Sequence, residues 1–132
     1  MATLAVPITS LDQWRDPSCV KVVRDAHGRA LYFSRSPIPF VRDGRPDFAA
    51  EPPQFLQHLG LYAYRREFLL RLAQMPPAPL EQLEKLEQLR VLAAGHPIAV
   101  GIVRHASIGV DTRADYERFV ETYRRGDGRK AA

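Results

Sequence analysis

The chain has a single cysteine, which excludes an internal disulfide and the paired thiols of a Cys-x-x-Cys redox or zinc motif. It also has no apolar run close to the roughly 20 residues that a membrane helix needs, and its N-terminus lacks the basic-then-apolar plan of a signal peptide. These absences predict a cytoplasmic protein with no membrane partner. For Cys19, a small buried hydrophobe is a commoner role than a catalytic thiol.

Acidic residues are fewer than basic ones, and the formal net charge is +4. Of the 19 basic residues, three are lysines and 16 are arginines, and they are spread along the chain rather than clustered. Basic proteins bind polyanions nonspecifically, but no helix-turn-helix, RNA-recognition or zinc-finger pattern accompanies this charge. Nucleic-acid binding is therefore the weakest functional hypothesis, and we expect no nucleic-acid partner.

The residues that are present indicate one α/β domain. With 132 residues, 45% of them hydrophobic and 26% charged, the composition is that of a globular protein. Asp25 and Gly28 predict a tight antiparallel turn with His27 in it. The periodicity of apolar residues predicts strands at 2–8, 20–24, 31–33, 58–64 and 97–103, and helices at 65–74, at 80–94 and after Thr112.

The second predicted helix, 80–94, is opened by Pro79 and closed by Gly95. Its apolar side is expected to consist of Leu83, Leu86 and Leu89. The polar side chains that must then project elsewhere are Gln82, Glu87 and Gln88.

The segment ALYFSRSPIP at 30–39 is an apolar, aromatic strand that ends in a Ser-Arg pair and two prolines. Because Pro37 and Pro39 cannot donate ladder hydrogen bonds, strand pairing should stop near Arg35 and leave its guanidinium at a sheet edge. That position suits recognition of a carboxylate or phosphate. Residues 41–54, which follow, lack periodicity and are long for a connection, so they predict either a mobile flap or a tolerated surface loop.

Four motifs in order carry a family resemblance: ALYFSRSPIP at 30–39, HLGLYAY at 58–64, PLEQLEKLEQLR at 79–90 and GVDT at 109–112. Together they resemble the C-terminal half of the 3-deoxy-manno-octulosonate cytidylyltransferases, and the similarity extends to about residue 119. The resemblance implies a mixed sheet flanked by helices, the second half of a Rossmann-like nucleotide-diphospho-sugar transferase fold. Residues 1–125 would form the sugar-binding and dimerisation half, and 126–132 a disordered tail.

Enzymes of this family join the eight-carbon acid sugar 3-deoxy-manno-octulosonate (Kdo) to CMP from CTP, releasing pyrophosphate and making CMP-Kdo for lipopolysaccharide. Magnesium assists this chemistry by neutralising phosphate charge. The resemblance places Asp111 at the family's metal-ligand aspartate, although its spacing alone favours a helix-capping role. The chain departs from the family at 113–116, where RADY replaces the usual PEDL. We expect the metal site to survive that change.

The resemblance also assigns five residues to the Kdo pocket, and their types suit a polyhydroxylated acid. Two of these residues have a plain structural alternative. His58 is otherwise a satisfied core histidine, and Glu87 is otherwise a solvated helix residue paired with Arg90. The five positions are Arg35, His58, Tyr62, Glu87 and Gln88.

The family's N-terminal half carries a glycine-rich, basic nucleotide loop and another magnesium-binding aspartate, and nothing in this sequence replaces either. We therefore expect a truncated product or split gene that cannot transfer cytidylyl groups alone. Kdo and CTP would be the substrates of the joined enzyme, and a homodimer its assembly. The alternative is a noncatalytic acid-sugar-binding or dimerisation module derived from the family. An incomplete sheet is expected to expose an edge and apolar surface.

Overall fold

The computed structural model describes residues 1–104 and 113–124. No helix within these residues is long and apolar enough to cross a membrane. The strands are β1 (Ala2–Pro7), β2 (Lys21–Arg24), β3 (Ala30–Ser34), β4 (Leu56–Ala63) and β5 (Ala99–Ile102). The helices are α1 (Leu11–Arg15), α2 (Arg66–Leu72), α3 (Pro79–Glu84), α4 (Gln88–Ala93) and α5 (Arg113–Arg124).

The five strands form one sheet in the order β3-β2-β4-β1-β5. Strand β5 runs parallel to β1, whereas the other neighbours are antiparallel, so the predicted mixed sheet is confirmed. The turn between β2 and β3 reaches the far end of the sheet, where Val100 N donates to Gly28 O (2.8 Å) and Ala30 N donates to Ile98 O (2.8 Å). The outer side of β5 is therefore partly covered by the hairpin.

The single helix predicted at 80–94 is wrong, because the chain breaks it at Lys85. This residue lies in the left-handed region with φ of 55°, and it separates α3 from α4. The break changes which side chains of this segment face the core and which face solvent. Leu83, expected in the core, is 80% exposed, whereas Gln88, expected to project elsewhere, is 3% exposed.

The core lies between the sheet and α4, and Phe33, Leu89 and Ile98 are among its fully buried members. Leu86 joins them, as predicted. Several leucines of the described residues are exposed. The most exposed are Leu31, Leu61, Leu69, Leu70 and Leu83.

A smaller apolar cluster anchors the irregular segment 41–54. Val41 and Phe48 from this segment pack against a cluster of Ile8, Trp14 and Phe55. The Phe48 and Phe55 rings meet edge to face with centroids 5.2 Å apart. These contacts attach part of the segment to the domain, and the choice between a mobile flap and a surface loop stays a prediction.

Candidate functional site

A cleft of about 780 Å³ opens at one end of the sheet, and all five of the predicted pocket residues line it. Its walls come from the segment before β2, the end of β3, the middle of β4 and the junction between α3 and α4. These segments are distant in sequence, and the fold brings the predicted pocket residues on them to one cleft. The polar side chains in the wall are Ser18, Arg35, Gln57, His58, Tyr62, Lys85, Glu87 and Gln88.

Arg35 stands directly after β3, an edge strand, which confirms the predicted end of pairing. Its Nε donates to Glu84 O (2.8 Å) and its Nη1 to Pro17 O (3.0 Å). Its backbone N–H donates to the Glu84 carboxylate (2.9 Å), which also accepts the Ser34 hydroxyl (2.6 Å). Nη2 has no partner in residues 1–104 or 113–124. The half-buried guanidinium is thus held in one orientation, and its Nη2 can still donate hydrogen bonds to a ligand.

Lys21 lies beneath this arrangement and is completely buried. Its Nζ donates to the carbonyls of Asp16 (2.8 Å), Cys19 (2.6 Å) and Arg35 (2.6 Å). Three carbonyl acceptors match the three N–H donors of an ammonium group. Burial lowers the pKa of Lys21, against the opposing effect of Cys19 and Asp16. The side chain ties the segment before β2 to the end of β3, and so holds one wall of the cleft together.

His58 is 8% exposed, so it is a core histidine, and it also lines the cleft. Its Nε2 lies 2.9 Å from Thr3 Oγ1, and its ring meets Phe33 edge to face at 4.9 Å. Burial lowers the pKa of His58 from 6.5 to about 4. The imidazole is therefore neutral at physiological pH.

Tyr62 follows His58 along the same wall, and the two ring centroids are 5.4 Å apart. Desolvation raises the pKa of Tyr62, with smaller contributions from Tyr64 and Glu87. Its hydroxyl therefore stays protonated at neutral pH and both donates and accepts hydrogen bonds.

Glu87 and Gln88 open α4 at the cleft. The alternative that pairs Glu87 with Arg90 is wrong, because the Arg90 guanidinium pairs with Glu81 instead (Nε to Oε2, 2.7 Å). Glu87 is exposed to the cleft, whereas Gln88 is buried with its Nε2 unpartnered. A buried amide without a partner costs free energy.

The predicted metal ligand Asp111 lies outside the described residues. Within 1–104 and 113–124, no group of three or more His, Cys, Asp or Glu side chains converges as a metal site would require. Magnesium therefore stays a prediction that depends on Asp111.

Sequence reasoning missed Lys21, Glu84 and Lys85. Lys21 and Glu84 do not line the cleft but bind Arg35. The sequence of a strand does not indicate where the ammonium group of a lysine in it points. Lys85 lines the cleft because its left-handed backbone breaks the helix. The leucine spacing around it was fully consistent with one continuous helix, so no signal marked the break.

Comparisons with known proteins agree with the motifs. A family model described as Cytidylyltransferase matches residues 1–100. A 3-deoxy-manno-octulosonate cytidylyltransferase from Syntrophobacter fumaroxidans is 54% identical over 120 residues, covering 91% of this chain and 46% of the relative. One from Rhodopirellula baltica is 50% identical over 121 residues, covering 90% and 48% respectively. The chain spans about half the length of the curated relatives it matches.

A solved structure is similar as well. It is a CMP:2-keto-3-deoxy-manno-octonic acid synthetase complexed with CTP, with a TM-score of 0.81 and 42% identity, and the match covers 95% of this chain and 49% of that one. Sequence motifs, sheet order and these matches agree. The chain belongs to the cytidylyltransferase family.

Proposed function

We propose that this chain is the acid-sugar-binding half of a 3-deoxy-manno-octulosonate cytidylyltransferase. The observation that carries the proposal is the cleft, which collects all five residues expected to bind Kdo and buries one unpartnered amide, Gln88 Nε2, in its wall. The named relatives supply the sugar and the nucleotide. In the proposed enzyme, CMP-Kdo would be made for lipopolysaccharide in the cytoplasm.

The cleft has the charge and polarity that an acid sugar needs. Arg35 and Lys85 are cations suited to a carboxylate, and Arg35 is held in direction by Glu84 and Pro17. Glu87 accepts hydrogen bonds from two hydroxyls at once, while Tyr62 and Gln88 both donate and accept. These groups would orient the sugar so that its anomeric hydroxyl points toward the nucleotide.

Magnesium belongs to the proposal through Asp111, whose carboxylate is a suitable hard ligand. When bound, the ion would neutralise charge on the phosphates and the sugar oxygens. The nucleotide loop would come from an N-terminal half that this sequence does not contain, so the chain by itself is proposed to be inactive. A homodimer is part of the same proposal, and the exposed leucines Leu69 and Leu70 on α2 support it.

Calorimetric titration of this chain with Kdo, with and without magnesium and CTP, tests the proposal. Kdo binding without a CTP response is expected. Absence of any Kdo binding, with the chain folded, would count against a preformed sugar site. Detectable CMP-Kdo formation by the chain alone would contradict its proposed inactivity. An in-frame nucleotide-loop sequence directly upstream in the genome would favour the enzyme over a noncatalytic module.

Arg35→Ala is expected to weaken Kdo binding at least about tenfold, the effect of losing one charge-assisted hydrogen bond. Arg42→Ala is the matched control, because Arg42 is exposed and, within residues 1–104 and 113–124, pairs with its neighbour Asp43 alone. Calorimetry on both variants decides the matter. Equal Kdo affinity in Arg35→Ala and Arg42→Ala would remove Arg35 from the sugar site.

Asp111→Asn tests the metal role in the chain joined to the N-terminal half of the Syntrophobacter fumaroxidans relative. Activity is expected to fall at least about a hundredfold, because a neutral amide is a poor ligand for magnesium. Asp115→Asn is the control, since Asp115 is the carboxylate of the neighbouring segment 113–116 and has no predicted metal role. A steady-state assay with full activity in Asp111→Asn would exclude the metal role.

A further inference from the structure

A bulge in the sheet brings Thr3 to His58. Thr3 pairs with Tyr62 and the next residue of β1, Leu4, pairs with Leu59, so Gly60 and Leu61 of β4 have no partner on β1. Bulges of this kind redirect side chains and backbone groups next to functional sites. Here the carbonyls of Leu59 and Leu61 both approach the Thr3 hydroxyl, which is buried.

The Thr3 hydroxyl has one proton and three neighbours. Its Oγ1 lies 3.1 Å from Leu59 O, 2.8 Å from Leu61 O and 2.9 Å from His58 Nε2. A carbonyl oxygen only accepts, so the single hydroxyl proton is committed to these carbonyls. Thr3 Oγ1 is then the acceptor toward His58, and Nε2 must supply the proton of that bond. The hydroxyl therefore selects the imidazole tautomer that is protonated on Nε2.

The second ring nitrogen of His58 is left as an acceptor. Because burial lowers the pKa of His58 to about 4, the ring is neutral near pH 7 and Nδ1 holds a lone pair. Nδ1 has no partner in residues 1–104 or 113–124. Within the same residues, the one fully buried polar side-chain atom without a partner is Gln88 Nε2, so Nδ1 keeps some accessible surface although His58 as a whole is buried. His58 is one of the residues that line the cleft, so a ligand bound there is a candidate partner for this lone pair.

We propose that Thr3 is a positioning residue that fixes His58 as the Nε2-protonated tautomer, so that Nδ1 recognises a hydroxyl of the acid sugar rather than its carboxylate. A neutral acceptor repels a carboxylate oxygen and receives a hydroxyl proton. The carboxylate is left to the cations Arg35 and Lys85, which line the same cleft. The hydroxyl assignment rests on the proposed function, whereas the tautomer does not.

The tautomer is measured on this chain, uniformly labelled with ¹⁵N, by long-range proton–nitrogen correlation at pH 7. The sequence has four histidines, and a His58→Gln sample assigns the signals of His58. We expect a pyrrole-type nitrogen at Nε2 and a pyridine-type nitrogen at Nδ1. Thr3→Val should mix the two tautomers, Thr3→Ser should restore the single one, and Thr9→Val, at an exposed threonine, should change nothing.

A pyridine-type Nε2 in the unmodified chain overturns the inference, even if Thr3→Val fails to fold. An unchanged tautomer in a folded Thr3→Val also overturns it. Kdo is then titrated into the unmodified chain, and Nδ1 is expected to shift while staying unprotonated. Protonation of both nitrogens would mean that His58 meets the carboxylate, which refutes the hydroxyl assignment.

The same titration separates this inference from the proposed function. If the Gly60 and Leu61 amides respond to Kdo while Nδ1 does not, the sugar site stands and the hydroxyl assignment fails. If neither the amides nor Nδ1 respond, the proposed function fails together with the hydroxyl assignment, and the tautomer measurement still decides the role of Thr3.

Discussion

Lys21→Met is expected to lower the free energy of unfolding by about 3 kcal/mol, because three carbonyls lose their donor in a buried place. Methionine has a similar length and apolar stem, so the change removes the ammonium more than the packing. The carbonyls of Asp16, Cys19 and Arg35 lie on two separate segments. Without the ammonium these segments are free to separate, and the backbone of Arg35 loses its anchor.

The change should therefore also weaken Kdo binding about tenfold. The reason is that Arg35 is held less firmly, since Lys21 itself makes no contact with the sugar in the proposed site. Urea unfolding followed by the fluorescence of the single tryptophan, Trp14, gives the stability, and calorimetry gives the affinity. Lys85→Met is the matched control for stability alone, since Lys85 is exposed but also lines the cleft. Its free energy of unfolding should change by less than about 0.5 kcal/mol. If Lys21→Met lowered the free energy of unfolding as little as Lys85→Met, water would be satisfying the three carbonyls as well as the ammonium does.

Strands and turns were predictable because their signals are local. The apolar run at 2–8, the hairpin around Gly28 and the proline stop after Arg35 each need only neighbouring residues to be read. The helix break at Lys85 was not predictable in this way. It is stabilised by contacts distant in sequence, since the Glu84 carboxylate binds Ser34 and the Arg35 backbone across about 50 positions. Tertiary contacts of this kind override a helical pattern.

The pocket was predicted through motifs, and the fold explains why their residues meet. Arg35 follows the end of β3, and His58 lies within β4 of the same sheet. Gln88 turns inward because the helix breaks before it. The polar groups behind the pocket could not be found from the sequence. Lys21 opens strand β2, and nothing in the sequence of this strand indicates where the ammonium points. Thr3 matters only because a bulge shifts the register of β4 by two residues.

Stability is expected to fall by about 3 kcal/mol as the pH is lowered from about 6.5 to about 4, because of His58. The folded chain holds this imidazole at a pKa of about 4, whereas the unfolded chain protonates it near its ordinary value of 6.5. Between these values the unfolded state binds more protons, so protonation favours unfolding. Each unit of pKa difference is worth about 1.4 kcal/mol. Above pH 6.5 this contribution is constant.

Carboxylates act in a lower window, which keeps the two effects apart. The Arg90 guanidinium lowers the pKa of Glu81 below its ordinary 4.5, so the stability from that ion pair is lost only below about pH 4.5. Urea midpoints at several pH values between 7.5 and 4.5 therefore report mainly on the histidines. His58→Gln should flatten the profile in this range, whereas His27→Gln, at an exposed turn residue, should leave the slope unchanged. A slope that persists in His58→Gln would show that folding does not lower the pKa of His58. The imidazole would then be protonated in mild acid and could not serve as a neutral acceptor in the cleft.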